Sequence, residues 1–322
     1  MRAVQINSFG STENFNVVDL PLPDPGEGEV LIRVGAAGIV FADTQMRRGD
    51  YVNLPALPFT PGREVAGIVE KIGPGVTTVQ PGCRVMADMH TGGYAEYAKA
   101  AVRDLVRLPD SASCLQGIVY LVNLRIAYLY YYTFGKVQAG EVILLHAAAG
   151  GIGTLVTQIA KRRGTNNVVI ALASSDEKLE YCRAAGADHC INTLTTDYVA
   201  EVLRITGGKG VDVSMNSVAG ATLQTDPLAI RPRGRWLING YAGGRSLIDP
   251  NAIMPKSLTL SIFSVYTVRN DEEFRKATTF LEEWLSTERL DSCTRSFPLE
   301  AVEDAHRWIE ERHSYGKIAL VP

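Results

Sequence analysis

Residues 142–153 read VILLHAAAGGIG, and their types and order give the chain its clearest chemistry. The apolar run 142–145, continuing to Ala147, suits a parallel strand covered on both faces. Ala148, Gly150 and Gly153 stand at the three positions of a dinucleotide-binding turn, with alanine in place of the first glycine. Gly151 and Ile152 lie between them and lead into the helical segment 154–161. Backbone N–H groups at such a helix start, at the positive end of its dipole, can face a pyrophosphate. A glycine triplet alone is weak evidence, whereas strand, turn and helix in this order are specific.

The next strand decides which nucleotide fits. An acidic residue about twenty positions past the glycines would hold the ribose diol of NAD. Here the sequence is ASSDEK over 173–178, where Ser174 and Ser175, with Lys178 behind, can hydrogen-bond and neutralise a 2′-phosphate, favouring NADPH over NADH. Asp176 and Glu177 can also be read as first-turn acids of the following helix. His146, beside the glycine turn, reads as a packed residue at the sheet edge rather than a catalytic base. Asp43 and Glu64 suggest a carboxylate pair, but loop-holding through backbone hydrogen bonds or through Arg63 is the simpler reading. The tyrosines at 128, 130, 131 and 132 read as helix packing, although one ring could line a substrate channel.

These groups need a framework, and 322 residues are enough for two domains. Residues 1–100 carry short alternating apolar runs at 15–20, 29–34, 65–70 and 94–98, broken by Pro and Gly, which predicts a β-rich domain with irregular loops. Punctuation stops between 112 and 132, where long helices are expected. After the glycine turn come strand 168–172, helix 176–185, strand 189–191, helix 198–206 and strands 211–215 and 235–239, the alternation of a doubly wound sheet. The expected nucleotide domain covers 123–262. Residues 1–122 form the other domain, completed by 263–322 with helices 271–286 and 299–311 and a last strand 317–321.

Composition narrows the partners. Lys and Arg total 32 against 35 Asp and Glu, so no basic excess favours nucleic acid or an anionic membrane. The N-terminus has no apolar signal core and no run approaches a membrane span, so a cytoplasmic protein is expected. Cys83, Cys114, Cys182, Cys190 and Cys293 include no C-x-x-C pair, which argues against a disulfide framework or a zinc knuckle.

From end to end the chain resembles the medium-chain dehydrogenase/reductase superfamily, in its zinc-independent quinone oxidoreductase and enoyl reductase branch. The resemblance rests on the glycine turn together with AAGIVFADT (36–44), PGREVAGIV (61–69), GGYAEY (92–97), TGGKGVDV (206–213), NSVAG (216–220) and GKIAL (316–320). It implies an α/β fold, a Rossmann doubly wound parallel sheet plus a GroES-like β-rich substrate domain. Zinc members need a thiolate, an imidazole and a further ligand facing one cavity. Val40 stands at that cysteine position and Arg63 at the histidine of the Gly-His-Glu motif, so no metal is expected. Hydride would then pass to a substrate whose own conjugation accepts it: a quinone, an enone or an enoyl thioester.

The resemblance also implies roles for individual residues. Lys178 and Arg312 match residues that reach the 2′-phosphate, while Thr193 replaces a tyrosine that usually joins them. Asn216 to Val218, Gly240 with Tyr241, and Phe263, Ser264 and Val265 match the loops around the nicotinamide. Relatives commonly carry asparagine at Val40 and threonine at Ile126, so the substrate pocket here should be more apolar. Tyr51, in RGDY (48–51), matches a cleft tyrosine able to protonate an enolate or orient a carbonyl; packing, or binding through its ring, is the equal alternative. NSVAG is similar to the same piece of polyketide enoyl reductase domains, which keeps an enoyl thioester in view. Some relatives instead act mainly as NADPH-binding structural or RNA-binding proteins, and the losses at Val40, Ile126 and Thr193 fit weakened catalysis. Relatives usually dimerise through edge strands of the nucleotide domain; segment 257–265 could pair in this way in a homodimer, or be buried within one chain.

Overall fold

The computed structural model describes residues 1–162, 164–269, 271–288, 290–291 and 294–322, and Cys293 lies outside them. The chain divides into two compact units, residues 1–122 with 281–322, and residues 123–280. Residues 263–280, expected from the sequence to complete the first domain, group with the second. Rings account for this: Phe263 stacks on Phe134 at 4.1 Å, Phe280 meets Tyr128 at 5.2 Å, and the Arg125 guanidinium lies 4.9 Å from the Phe274 ring.

The first unit is β-rich. Its N-terminal strands β1 (Arg2–Ile6) and β2 (Phe15–Asp19) pair antiparallel. The long strand β3 (Glu29–Ile39) is followed directly by helix α1 (Phe41–Arg48), and then come β4 (Glu64–Ile72), β5 (Arg84–Asp88), β6 (Tyr97–Ala101) and β7 (Leu105–Arg107). Strand β6 begins three residues later than the expected 94, because Tyr94 is held in the loop before it by a bond from its N–H to the Pro61 carbonyl. The helix expected after residue 112 is α2 (Cys114–Tyr128), which begins in this unit and from residue 123 belongs to the second, as does the π turn it runs into, Leu129–Phe134. Gly135 closes that turn by donating to the Tyr130 carbonyl at 2.9 Å; a Cβ there would meet this oxygen at 2.1 Å.

The second unit carries β8 (Val142–Leu145), α3 (Gly151–Arg162), β9 (Val168–Ala173), α4 (Asp176–Ala184), β10 (His189–Asn192) and α5 (Tyr198–Ile205). It continues through β11 (Val211–Asn216), α6 (Thr222–Ala229), β12 (Ile230–Ile238), α7 (Pro250–Ile253), β13 (Thr259–Ile262) and α8 (Val265–Val268). Its sheet is parallel throughout, in the order β10-β9-β8-β11-β12-β13. That is a Rossmann order, with the switch point between β8 and β11. Burial explains the sequence pattern: Ile143, Leu144 and Leu145 on β8 and Val169 to Ala173 on β9 are all buried, as strands covered on both faces must be. Each buried Val, Ile or Leu among them contributes about 1.5–3 kcal/mol. Helix α6 was not legible because it encloses Pro227.

After helix α9 (Glu272–Thr287) the chain supplies β14 (Arg295–Pro298), α10 (Val302–Glu310) and β15 (Ile318–Val321). β15 pairs antiparallel with β3, so the C-terminus completes the seven-stranded sheet β14-β15-β3-β4-β5-β7, with β6 also on β3. No helix among the described residues is long and apolar enough to cross a membrane.

Candidate functional site

In the second unit, α3 opens directly from the glycine turn. Gly150 donates to the Ala147 carbonyl at 2.9 Å, and Ala147 takes a left-handed φ of 49°. A Cβ on Gly153 would stand 2.7 Å from both Cα and O of Ala148, so only glycine lets the helix approach the strand end this closely. The first N–H groups of α3, at Gly151, Ile152 and Gly153, have no partner within the helix by its geometry. This cradle fits a pyrophosphate.

At the end of β9, Ser175 caps α4, its hydroxyl accepting from the Lys178 N–H at 3.4 Å. The Lys178 ammonium comes within 3.5 Å of the Ser174 hydroxyl. The Asp176 carboxylate accepts from the Asn192 amide at 3.0 Å, which turns it toward β10. Thr193 donates to the Ala173 carbonyl through its hydroxyl and its N–H. Two hydroxyls and an ammonium therefore gather where an acid would otherwise hold a ribose diol, a donor set suited to a phosphate dianion. Arg312, expected to join them, belongs to the first unit, in the turn after α10 with φ 60°.

The loops after β11, β12 and β13 meet at the carboxyl end of the sheet. Gly243 donates to the Val218 carbonyl at 2.6 Å, the Asn239 amide to the Phe263 carbonyl at 2.8 Å, and a Cβ on Gly240 would lie 3.0 Å from the Ser217 carbonyl. The Tyr241 ring lies 5.6 Å from the Arg245 guanidinium, the Ser264 carbonyl takes two bonds from Thr267, and Val265 begins α8. The side chain of Asn216 is fully engaged inside the unit. Its oxygen accepts from the N–H groups of Val218 and Ala219, and its nitrogen donates to Thr222 and Asp226. Asn216 therefore shapes the loop through its own amide.

Sequence reasoning missed the centre of this network. Asp226 is completely buried and accepts from Asn216, Ser214 and Trp236 at 2.8–2.9 Å through one oxygen. Its other oxygen meets His146 Nε2 at 2.6 Å and the Tyr198 hydroxyl at 3.0 Å. Burial alone would raise its pKa, but the His146 charge and these donors outweigh it and hold the carboxyl below its ordinary value. His146 is thus a buried structural partner, as its position suggested, tying the glycine turn to the loop after β11. No periodicity in 222–229 marks Asp226.

In the first unit, Val40 precedes α1, and its N–H donates to Asp43 at 2.9 Å. The same Asp43 oxygen accepts from the buried Tyr94 hydroxyl at 3.0 Å, and Tyr94 lies 3.3 Å from His306 Nε2. Burial pushes the Asp43 carboxyl up, against the pull of the Val40 N–H and the Arg63 and Lys317 charges. Glu64 is fully buried and pairs with Lys317; it fits only because a Cβ on Gly38 would stand 2.6 Å from its carboxylate. Arg63 is 8 % exposed and donates from Nη1 to the Tyr51 phenol oxygen at 3.0 Å. The expectation for Asp43 is met through Val40, whereas Glu64 is held by Lys317, which sequence reasoning placed only within a motif. Val40 and Tyr51 lie in this unit, while Ile126, buried in α2, lies in the other.

A catalytic zinc does not fit these residues. Val40 has no donor atom, and the Arg63 guanidinium stays protonated and donates hydrogen bonds. Among the described residues no three His, Cys, Asp or Glu side chains are grouped to hold a metal ion.

Comparison with known proteins agrees with this two-part design. Residues 26–110 match the alcohol dehydrogenase GroES-like domain, and residues 151–283 match the domain called zinc-binding dehydrogenase. Rat quinone oxidoreductase is 32% identical over 321 residues, covering 99% of this chain and 96% of that protein. The 2-haloacrylate reductase of a Burkholderia species is 32% identical over 336 residues, covering 99% and 98%. The structure of Escherichia coli quinone oxidoreductase complexed with NADPH superposes with a TM-score of 0.93 at 28% identity, covering both chains completely. These matches define a medium-chain dehydrogenase/reductase, and the chain belongs to the quinone oxidoreductase family.

Proposed function

We propose that the protein reduces quinones or α,β-unsaturated carbonyl compounds with NADPH and without a metal. The observation that carries this is the donor set at the end of β9, Ser174, Ser175 and Lys178, with Asp176 turned to Asn192, in a unit whose glycine turn fits a pyrophosphate. Solved relatives in complex with NADPH support the cofactor, and the relatives that act on quinones or haloacrylate support electron-poor substrates. Bound NADPH supplies the hydride. The chain's own contributions are to hold the pyrophosphate on α3, neutralise the 2′-phosphate with Lys178, and deliver a proton from Tyr51. With Val40 and Arg63 in place of ligands, the substrate's conjugation, rather than a Lewis acid, accepts the charge. Val40 adds apolar surface for the substrate.

An enoyl thioester is the second substrate reading, favoured by the likeness of residues 216–220 to enoyl reductase domains. NADPH oxidation followed with ortho- and para-quinones, linear enones, 2-haloacrylate and crotonyl thioester separates these readings. Turnover of at least one class is expected. Tight NADPH binding with no turnover of any would instead support a structural or RNA-binding role. We also propose a cytoplasmic homodimer paired through β13, since this edge strand exposes Leu260 and Ile262.

A further inference from the structure

The position that holds a metal ligand in zinc members of the superfamily carries a buried cation in this chain. Arg63 follows Gly62, whose φ of 96° turns the chain against Tyr94, and the Arg63 carbonyl accepts from the Met89 N–H at 2.6 Å. Both ends of the residue are therefore fixed. The guanidinium reaches Tyr51 twice over, by the 3.0 Å hydrogen bond to its oxygen and with its carbon 5.6 Å from the ring centre. Beside it, the buried Asp43 carboxylate feels the charges of two buried cations, Arg63 and Lys317, while the buried Glu64 feels Lys317, Asp43 and Asp88. Lys317 is bound to Glu64, and Arg63 lends its charge to Asp43 while donating to the phenol. A charge this buried is costly unless it is compensated, and here the carboxylates do so.

We propose that Arg63 is the positioning residue for Tyr51: its guanidinium fixes the phenol by a hydrogen bond and stabilises the phenolate left when Tyr51 gives its proton to the reduced substrate. This rests on the reading of Tyr51 as proton donor. The balance is simple. Hydride delivered by NADPH forms a new C–H bond, or an O–H bond in a quinone, and leaves an enolate or quinol anion. The Tyr51 O–H bond breaks and its proton goes to that anion. The negative charge then rests on the Tyr51 oxygen, already hydrogen-bonded to a permanently charged donor, until a solvent proton restores the phenol. A planar guanidinium can hold its bond to the phenol and its pull on Asp43 together, which the point charge of a lysine cannot do equally well.

The test is a double-mutant cycle in single-turnover NADPH oxidation, with NADPH affinity measured separately by fluorescence. Arg63→Ala is expected to slow the chemical step about 10- to 100-fold, the range for a hydrogen bond to a charged group, at unchanged NADPH affinity. Millimolar guanidinium should restore part of that rate. In the Tyr51→Phe background, Arg63→Ala should produce no further loss, and guanidinium no rescue. Should Arg63→Ala fail to fold, Arg63→Lys takes its place, with a smaller loss that again vanishes in the Tyr51→Phe background. Losses that multiply, or an Arg63 variant with unchanged rate, would overturn the proposal while leaving Tyr51 as the donor. An unchanged rate in Tyr51→Phe alone would remove Tyr51 from the chemistry and the proposal with it.

Discussion

Replacing Asp226 by asparagine keeps the shape of the side chain and removes its charge, so it tests whether the buried network sets the cofactor site. One carboxylate oxygen accepts three bonds, from Ser214, Asn216 and Trp236, and the other faces His146 and Tyr198. An amide can present its oxygen to the first three donors, but those bonds lose their charge assistance and the pair with His146 is broken. At about 1.5–3 kcal/mol for a hydrogen bond to a charged group against about 1 for a neutral one, the cost is about 2–4 kcal/mol. Asp226→Ala should cost more, because it strands the donors in a cavity. Urea unfolding followed by circular dichroism measures this. Because Asn216 would lose part of its hold on the Val218 loop, NADPH affinity should fall as well. The folded carboxyl is held below its ordinary value, so its contribution is complete above about pH 4 and is lost only as pH falls through the lower folded value. An Asp226→Asn protein within about 0.5 kcal/mol of wild type, the range of ordinary surface substitutions, would refute the reasoning.

Lys178→Ala should weaken NADPH binding about tenfold while leaving NADH affinity unchanged, consistent with the loss of one charge-assisted bond, in a fluorescence titration; equal losses for both nucleotides would contradict the phosphate reading. His306 is held down to about 3 by burial and by the charges of Arg47 and Arg48. The native state therefore binds fewer protons than the unfolded chain once pH drops below about 6.5, and stability should fall by about 3 kcal/mol by pH 4.5. His306→Gln should flatten that part of the stability–pH curve, and an unchanged slope would count against it. Ile262→Lys places a charge on the exposed edge strand and should convert a dimer into a monomer in sedimentation equilibrium, with an unaltered mass as the adverse result.

The parts legible in the sequence were those in which one residue type has one physical use. The buried run 142–145 and the close approach at Gly153 identify strand and turn, because a side chain there would collide with backbone. Ser174 and Ser175 were visible for a similar reason, as the end of a parallel strand is a fixed address. Contacts between distant segments were not legible. Asp226 lies in a helix interrupted by Pro227, and its five partners come from the turn after β8, from β11 and β12, and from α5. Glu64 and Lys317 are 253 residues apart, and only the pairing of β15 with β3 and of β3 with β4 brings them together. Nothing in segment 263–280 except its place after the last strand indicates a domain, whereas ring contacts with Phe134 and Tyr128 decide its packing.

The central claim is hydride reduction from NADPH with no metal. Its most direct test is NADPH-dependent reduction of the best quinone or enone substrate after exhaustive chelation, with bound metal measured on the same sample. The expected result is an undiminished rate with less than a tenth of an equivalent of zinc. Activity that disappears on chelation and returns with stoichiometric zinc would contradict the account.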